Sequence, residues 1–205
     1  MRTPLIADAP RAGVHPAGRT TGPRRQPCVR TDDDDAAVGR MVADPLWLAQ
    51  EKLGGCRLLV RKAGLNVTGF DGAGRPVDLS LPIADAVRGL DTPDCLLDGH
   101  AVGVGGDRLV AFDLLAEGGE DLRPRPLLDR LVRLLDLMES AASDHLRYAP
   151  FTSSAAEKRA MVDRLRAARA AGIVFKCKDA PHAPDQGATD GAAWVALTFA
   201  PIATR

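Results

Sequence analysis

Gln50-Glu51-Lys52-Leu53-Gly54-Gly55-Cys56-Arg57 is the stretch on which the reading of this chain turns. An apolar run over 47–50 leads into a lysine, a Gly-Gly pair breaks the chain direction, and a second apolar run occupies 56–62. This is strand, tight turn, strand, with a lysine at the mouth of the turn. A lysine in that place is ordinarily a solvated surface residue. Here basicity is carried mostly by arginine, and the five lysines are Lys52, Lys62, Lys158, Lys176 and Lys178. An Arg-, Ala- and Gly-rich composition has the look of a GC-rich genome. Surface arginine is then weak evidence for phosphate binding, and a lysine kept against the bias is more informative.

Outward from this turn the strand-like runs continue over 66–70, 95–104 and 108–115, divided by turns at 62–64, 71–74 and 103–107. Hairpin spacing predicts a largely antiparallel sheet. A short helix is expected over 83–90. Leu127, Leu128, Leu131, Leu134, Leu135 and Met138 recur at helical spacing behind Pro126, which suits a first helical turn. A second long helix is expected from Ser154, paired with Glu157 as a capping box, to Ala170, with Gly172 as its stop. Strands over 173–178 and 194–199 close the pattern. The order fits an α+β fold, largely antiparallel sheets with flanking helices, and not alternating βαβ units. No G-x-G-x-x-G or P-loop signature supports a Rossmann or P-loop alternative.

Residues 1–43 are rich in Pro, Gly, Arg, Thr and Asp without hydrophobic periodicity, so a disordered tail is expected there and a folded domain over 44–205. Formal charge balances to zero over 205 residues, which excludes a global field that would gather nucleic acid. The four cysteines have no CxxC or Cys/His spacing, so no zinc site is expected and a reducing cytoplasm fits. No apolar stretch approaches the length of a signal core or a membrane span.

The stretch 50–57 resembles the first motif of ATP-dependent DNA ligases, RNA ligases and mRNA-capping enzymes, K-x-D-G-x-R. Further resemblances follow in that family's order. Leu97-Asp98-Gly99-His100 resembles its D-G-E strand, and Phe112-Asp113-Leu114-Leu115 the aromatic strand after it. Ala171-Gly172-Ile173-Val174-Phe175-Lys176 resembles E-G-[IV]-V-x-K, and Trp194-Val195-Ala196-Leu197-Thr198 stands where the family has W-x-K-x-K. Each motif is weak singly; five in register over 46–200 identify a nucleotidyltransferase (adenylation) domain with the ligase and capping-enzyme fold.

The resemblance implies ATP as cofactor and nicked DNA or RNA ends as partner, in strand joining for DNA repair or recombination. Lys52 would be the nucleophile that takes AMP. A lysine attacks the α-phosphorus only when neutral, so burial or a neighbouring cation has to lower its pKa. Glu51 would lie beside the adenine, Arg57 would contact the sugar, Phe112 would stack on the base and Lys176 would hold the phosphate. For Phe112 and Trp194, side chains in alternating strands, plain core packing is the competing expectation.

The departures bear on the chemistry. The family's first-motif Asp is Gly54, its second-motif Glu is His100, its fourth-motif Glu is Ala171, and its last two lysines are Ala196 and Thr198. His100 can hydrogen-bond a ribose hydroxyl or bind a soft metal, but it is a poor substitute for a Mg²⁺ ligand, because that ion prefers oxygen. Mg²⁺ binding is therefore expected to be weak or lost, and no metal ligand is assigned. Asp98 and Asp113 are expected to support structure. The chain stops at Arg205 where ligases continue into an OB-fold, so a separate OB-fold or repair protein is the partner expected to complete it. The expected function is an impaired ligase-like adenylyltransferase, with an inactive nucleotide-binding or scaffold module as the alternative.

Overall fold

The structure is a computed structural model, and it describes residues 29–32, 35–183 and 193–199. In chain order these form β1 (Val29–Asp32), α1 (Asp35–Ala43), β2 (Trp47–Glu51), β3 (Cys56–Ala63), β4 (Asn66–Asp71), β5 (Pro76–Val77) and α2 (Leu81–Arg88). There follow β6 (Asp94–Val102), β7 (Arg108–Glu117), β8 (Glu120–Asp121), α3 (Leu127–Glu139), β9 (Leu146–Tyr148), β10 (Phe151–Thr152), α4 (Ala155–Ala167), β11 (Gly172–Cys177) and β12 (Trp194–Thr198).

Two sheets result, one ordered β1-β12-β11-β2-β10 and the other β5-β4-β3-β6-β7-β8, with β9 also on β7. Pairing is antiparallel throughout except β1 with β12 and β7 with β9. The α+β expectation of largely antiparallel sheets with flanking helices holds.

Period-two alternation gives each sheet a helix-covered face and a second face turned to the seam between the sheets. In the first sheet Ala49, Ile173, Phe175 and Leu197 pack with Val38 and Val42 of α1 and Met161, Val162 and Leu165 of α4. In the second, Leu58, Val60, Leu97, Leu109, Ala111 and Leu114 pack under Ile83 and Val87 of α2 and Leu127, Leu131 and Leu134 of α3. Between these cores lies a small third cluster of Phe112, Ala149 and Trp194, bordered by Leu53, Val110 and Ala193.

Three expectations need correction. The disordered tail expected through residue 43 does not extend over 29–32, which form β1 beside β12, or over 35–43, which form α1. Val38 and Val42, one turn apart, supply the apolar stripe that the surrounding polar composition hides. Fully buried Lys158 of α4 ties this helix down, its ammonium donating to the carbonyls of Met41, Asp44 and Trp47 at 3.0, 2.7 and 3.0 Å. The rest of the expected tail, 1–28 and 33–34, lies outside the described residues. The helix over 83–90 begins two residues earlier, at Leu81, with Pro82 in its first turn. Finally, α4 ends at Ala167 and Arg169 takes the left-handed turn, φ 55°, that was expected of Gly172. Gly172 is required for another reason. Its φ is 150°, and a Cβ there would stand 2.0 Å from the Leu197 carbonyl oxygen of the neighbouring strand.

Candidate functional site

Register places most of the motif residues at the seam between the two sheets. In the first sheet Lys176 pairs with Trp194 and with Leu48, Val174 with Ala196 and with Gln50, and Gly172 with Thr198. Leu48, Gln50, Lys176, Trp194 and Thr198 therefore share the face away from α1 and α4. The Lys52 amide donates to Gly172 O at 3.0 Å, extending this ladder. Its ammonium donates to Thr198 Oγ1 at 2.5 Å, which puts the half-buried amine on the same face.

The second sheet contributes Arg57, Asp98, His100 and Phe112. Arg57 lies opposite His100 in the β3–β6 ladder. Its Nε donates to Asp98 Oδ1 at 2.9 Å and an Nη donates to Asp98 Oδ2, a bidentate pair around a fully buried carboxylate. Asp113, paired with Asp98 across β6 and β7, is closed in the same way by Arg130 of α3, with both bonds at 2.8 Å and both side chains fully buried. The expectation that these two aspartates support structure holds.

Phe112 owes its direction to a bulge. Gly99 pairs with Ala111 and Asp98 with Asp113, so Phe112 is the extra residue of β7. Its ring meets Trp194 edge-on at 5.8 Å and His100 edge-on at 5.5 Å. Its carbonyl accepts from Lys176 Nζ at 3.4 Å. Lys176 is 2% exposed, and its ammonium rests 4.3 Å from the Phe112 centroid and 3.9 Å from that of Trp194. The Arg57 guanidinium covers the same two rings at 5.2 and 5.4 Å. Two cations thus share an aromatic pair in a buried place, where such contacts are strongest.

The predicted site residues do not all converge. Lys52, Arg57, His100, Phe112 and Lys176 come to the seam. Glu51 pairs with Ile173 and alternates to the opposite face of β2 from Lys52, so only its main chain remains available there. His100 Nδ1 lies 3.1 Å from Gly54 O, and burial holds its imidazole below the ordinary range. Ala171 is exposed and brings no acid to the start of β11.

Two polar residues at or near the site escaped the sequence reading. Gln50 is 1% exposed and donates through Nε2 to Ala149 O at 2.9 Å, while its Oε1 has no partner. Position i−2 from Lys52 in a strand was the available signal. His182 is buried with neither ring nitrogen partnered, and its amide donates to Arg123 O at 2.8 Å. No spacing rule points to it.

The arrangement suits a nucleoside phosphate: an aromatic pair, a free buried amide acceptor, a guanidinium and two ammonium groups on facing strands. It does not suit Mg²⁺, which requires oxygen ligands, commonly one or two carboxylates. The carboxylates at this place are both closed by arginine, and among the described residues no three His, Cys, Asp or Glu side chains gather to hold a metal.

No family model matches the chain. It is 28% identical over 200 residues to a probable DNA ligase from Anaeromyxobacter sp. (strain Fw109-5), a match that takes in 83% of this chain. The chain spans 36% of that relative's length. Among solved structures it is similar to the ligase domain of M. tuberculosis LigD, at TM-score 0.64 and 21% identity over 84% of this chain and 58% of that one. It matches a mycobacterial DNA ligase D complexed with ATP equally well, at TM-score 0.64 and 21% identity over 85% of this chain and 60% of that one. An ATP-dependent ligase from bacteriophage T7, complexed with ATP, matches at TM-score 0.51 and 13% identity over 84% and 68%. No helix among the described residues is long and apolar enough to cross a membrane. The chain therefore has the fold of the ligase domains of ATP-dependent DNA ligases.

Proposed function

We propose that this chain is an ATP-dependent DNA ligase-like adenylyltransferase domain whose Lys52 forms a lysyl-AMP intermediate for strand joining, slowed by the loss of its acidic partners. One observation carries the reading: Lys176 and Arg57 meet on the Phe112–Trp194 pair where the two sheets face each other, and the Lys52 amine lies on the same sheet face. In this reading Phe112 stacks on adenine, Gln50 Oε1 and the Glu51 main chain select the base, and Arg57 and His100 meet the sugar. Lys176 holds the α-phosphate. Lys52 Nζ loses a proton and bonds to the α-phosphorus as the bond to the β-phosphate oxygen breaks and pyrophosphate leaves. A DNA 5′-phosphate then takes the AMP, and a 3′-hydroxyl displaces it. The relatives' names support DNA as the substrate, and repair or recombination as the setting follows from it.

Incubation with α-labelled ATP, with and without Mg²⁺ or Mn²⁺, tests this. Covalent label is expected on the wild type and absent from Lys52→Arg. Label that survives the substitution sinks the assignment of Lys52.

A second reading is favoured by Ala171, His100 and Thr198 at positions where the motif has charged groups. It makes the chain a nucleotide-binding module without transfer activity. Losing one such contact costs on the order of a hundredfold in rate, and losses at one site act together. Under it, ATP raises the melting temperature but leaves no label.

A further inference from the structure

We propose that the site takes its nucleotide as the metal-free polyanion, so that magnesium competes with the protein for ATP and does not assist its binding. The inference rests on the nucleotide reading above and adds the ionic form of the ligand.

Two features carry it. The first is the state of the carboxylates. Asp98 and Asp113 face each other across β6 and β7, and each presents both oxygens to a guanidinium, of Arg57 and Arg130 respectively. Asp113 Oδ1 also accepts from its neighbour Leu114 N at 2.9 Å. To serve a hydrated cation, either would have to abandon a buried ion pair and strand an arginine charge. Glu51 points from the wrong face of β2, and His100 and Ala171 bring no oxygen. The second feature is the set of cations the protein itself supplies. Arg57 and Lys176 are held over the Phe112–Trp194 pair, and Lys52 stands on the same face of the first sheet as Lys176. Cationic side chains thus occupy the part of the site where a magnesium complex would need acids. Magnesium cancels about two of the charges on a triphosphate, which weakens its attraction to fixed cations. AMP chelates the ion poorly and has little to lose.

The test is calorimetric titration of the full chain with ATP and with AMP, in EDTA and in excess magnesium chloride at matched ionic strength. ATP is expected to bind about tenfold more tightly in EDTA, with AMP alike in the two buffers. Lys176→Met should shrink the EDTA advantage for ATP. Half-buried Lys52→Ala should do so too, which keeps the test open should the buried substitution impair folding. ATP affinity that rises with magnesium, or binding seen only in its presence, overturns the inference while leaving the nucleotide reading intact. Heat from neither nucleotide in either buffer overturns that reading and the inference with it.

Discussion

Arg57 separates what the site needs for stability from what it needs for chemistry. Its guanidinium is 15% exposed and the Asp98 carboxylate it closes is fully buried. Arg57→Ala strands that charge, and breaking a buried pair from one side costs about 3 kcal/mol. Urea denaturation should show the loss, whereas Lys52→Ala, which removes a half-buried amine held by one hydroxyl, should stay within about 1 kcal/mol of wild type. A cost for Arg57→Ala as small as that for Lys52→Ala would mean that the ion pair is not intact in solution. At this scale the residues that gather at the candidate site were legible: Lys52, Arg57, Phe112 and Lys176 stood out by motif order. Their partners were not. Nothing in spacing tells that Asp98 takes Arg57, that Asp113 takes Arg130 from a helix 17 residues on, or that Gln50 turns an unpaired oxygen inward. Such pairings are set by register between strands far apart in sequence.

At the scale of elements, α4 was readable because its start carries local chemistry. Ser154 Oγ accepts the Glu157 amide at 3.2 Å, and Glu157 Oε2 accepts from Ser154 Oγ and Thr152 Oγ1, both at 2.7 Å. These bonds hold the Glu157 carboxyl below its ordinary value. Ser154→Ala should cost about 1 kcal/mol, read as a shift in the denaturation midpoint at unchanged slope. Ser154→Thr, which keeps a hydroxyl that both accepts and donates, should recover most of it. A Ser154→Ala protein as stable as wild type would show that the box contributes nothing. The contrast is α1, whose stripe of two valines is too short to register against its polar surroundings and gains its helicity from packing on α4. The bulge at Phe112 was equally hidden. A strand sequence shows alternation, not the one-residue excess that turns a ring toward the seam and leaves its carbonyl to Lys176.

At the scale of the whole molecule, the two sheets meet over a set of charges that surround one buried histidine, His182. Asp113 of β7, Asp98 of β6, Arg130 of α3, Arg57 of β3 and Asp121 of β8 all act on His182 or respond to it. The aspartates favour its protonation, the arginines oppose it, and burial, the largest cause, holds it below its ordinary 6.5. His100 is held down in the same direction, again chiefly by burial. A base whose pKa is lower folded than unfolded binds more protons in the unfolded chain. Its favourable contribution is therefore complete above the unfolded value and is lost as pH falls from about 6.5 toward the folded one. The unfolding free energy from urea denaturation should be flat above that pH and decline below it, with a slope of up to about 1.4 kcal/mol per pH unit for each histidine. The carboxylates lose their charge only at lower pH, so between about 6.5 and 5.5 the decline belongs to the histidines. His182→Leu removes one titrating group while keeping an apolar fill. Whatever it does to absolute stability, the slope in that window should fall. An unchanged slope would mean that His182 already exchanges its proton with water in the folded state, and that the ion pairs at the seam are less sealed than the geometry indicates.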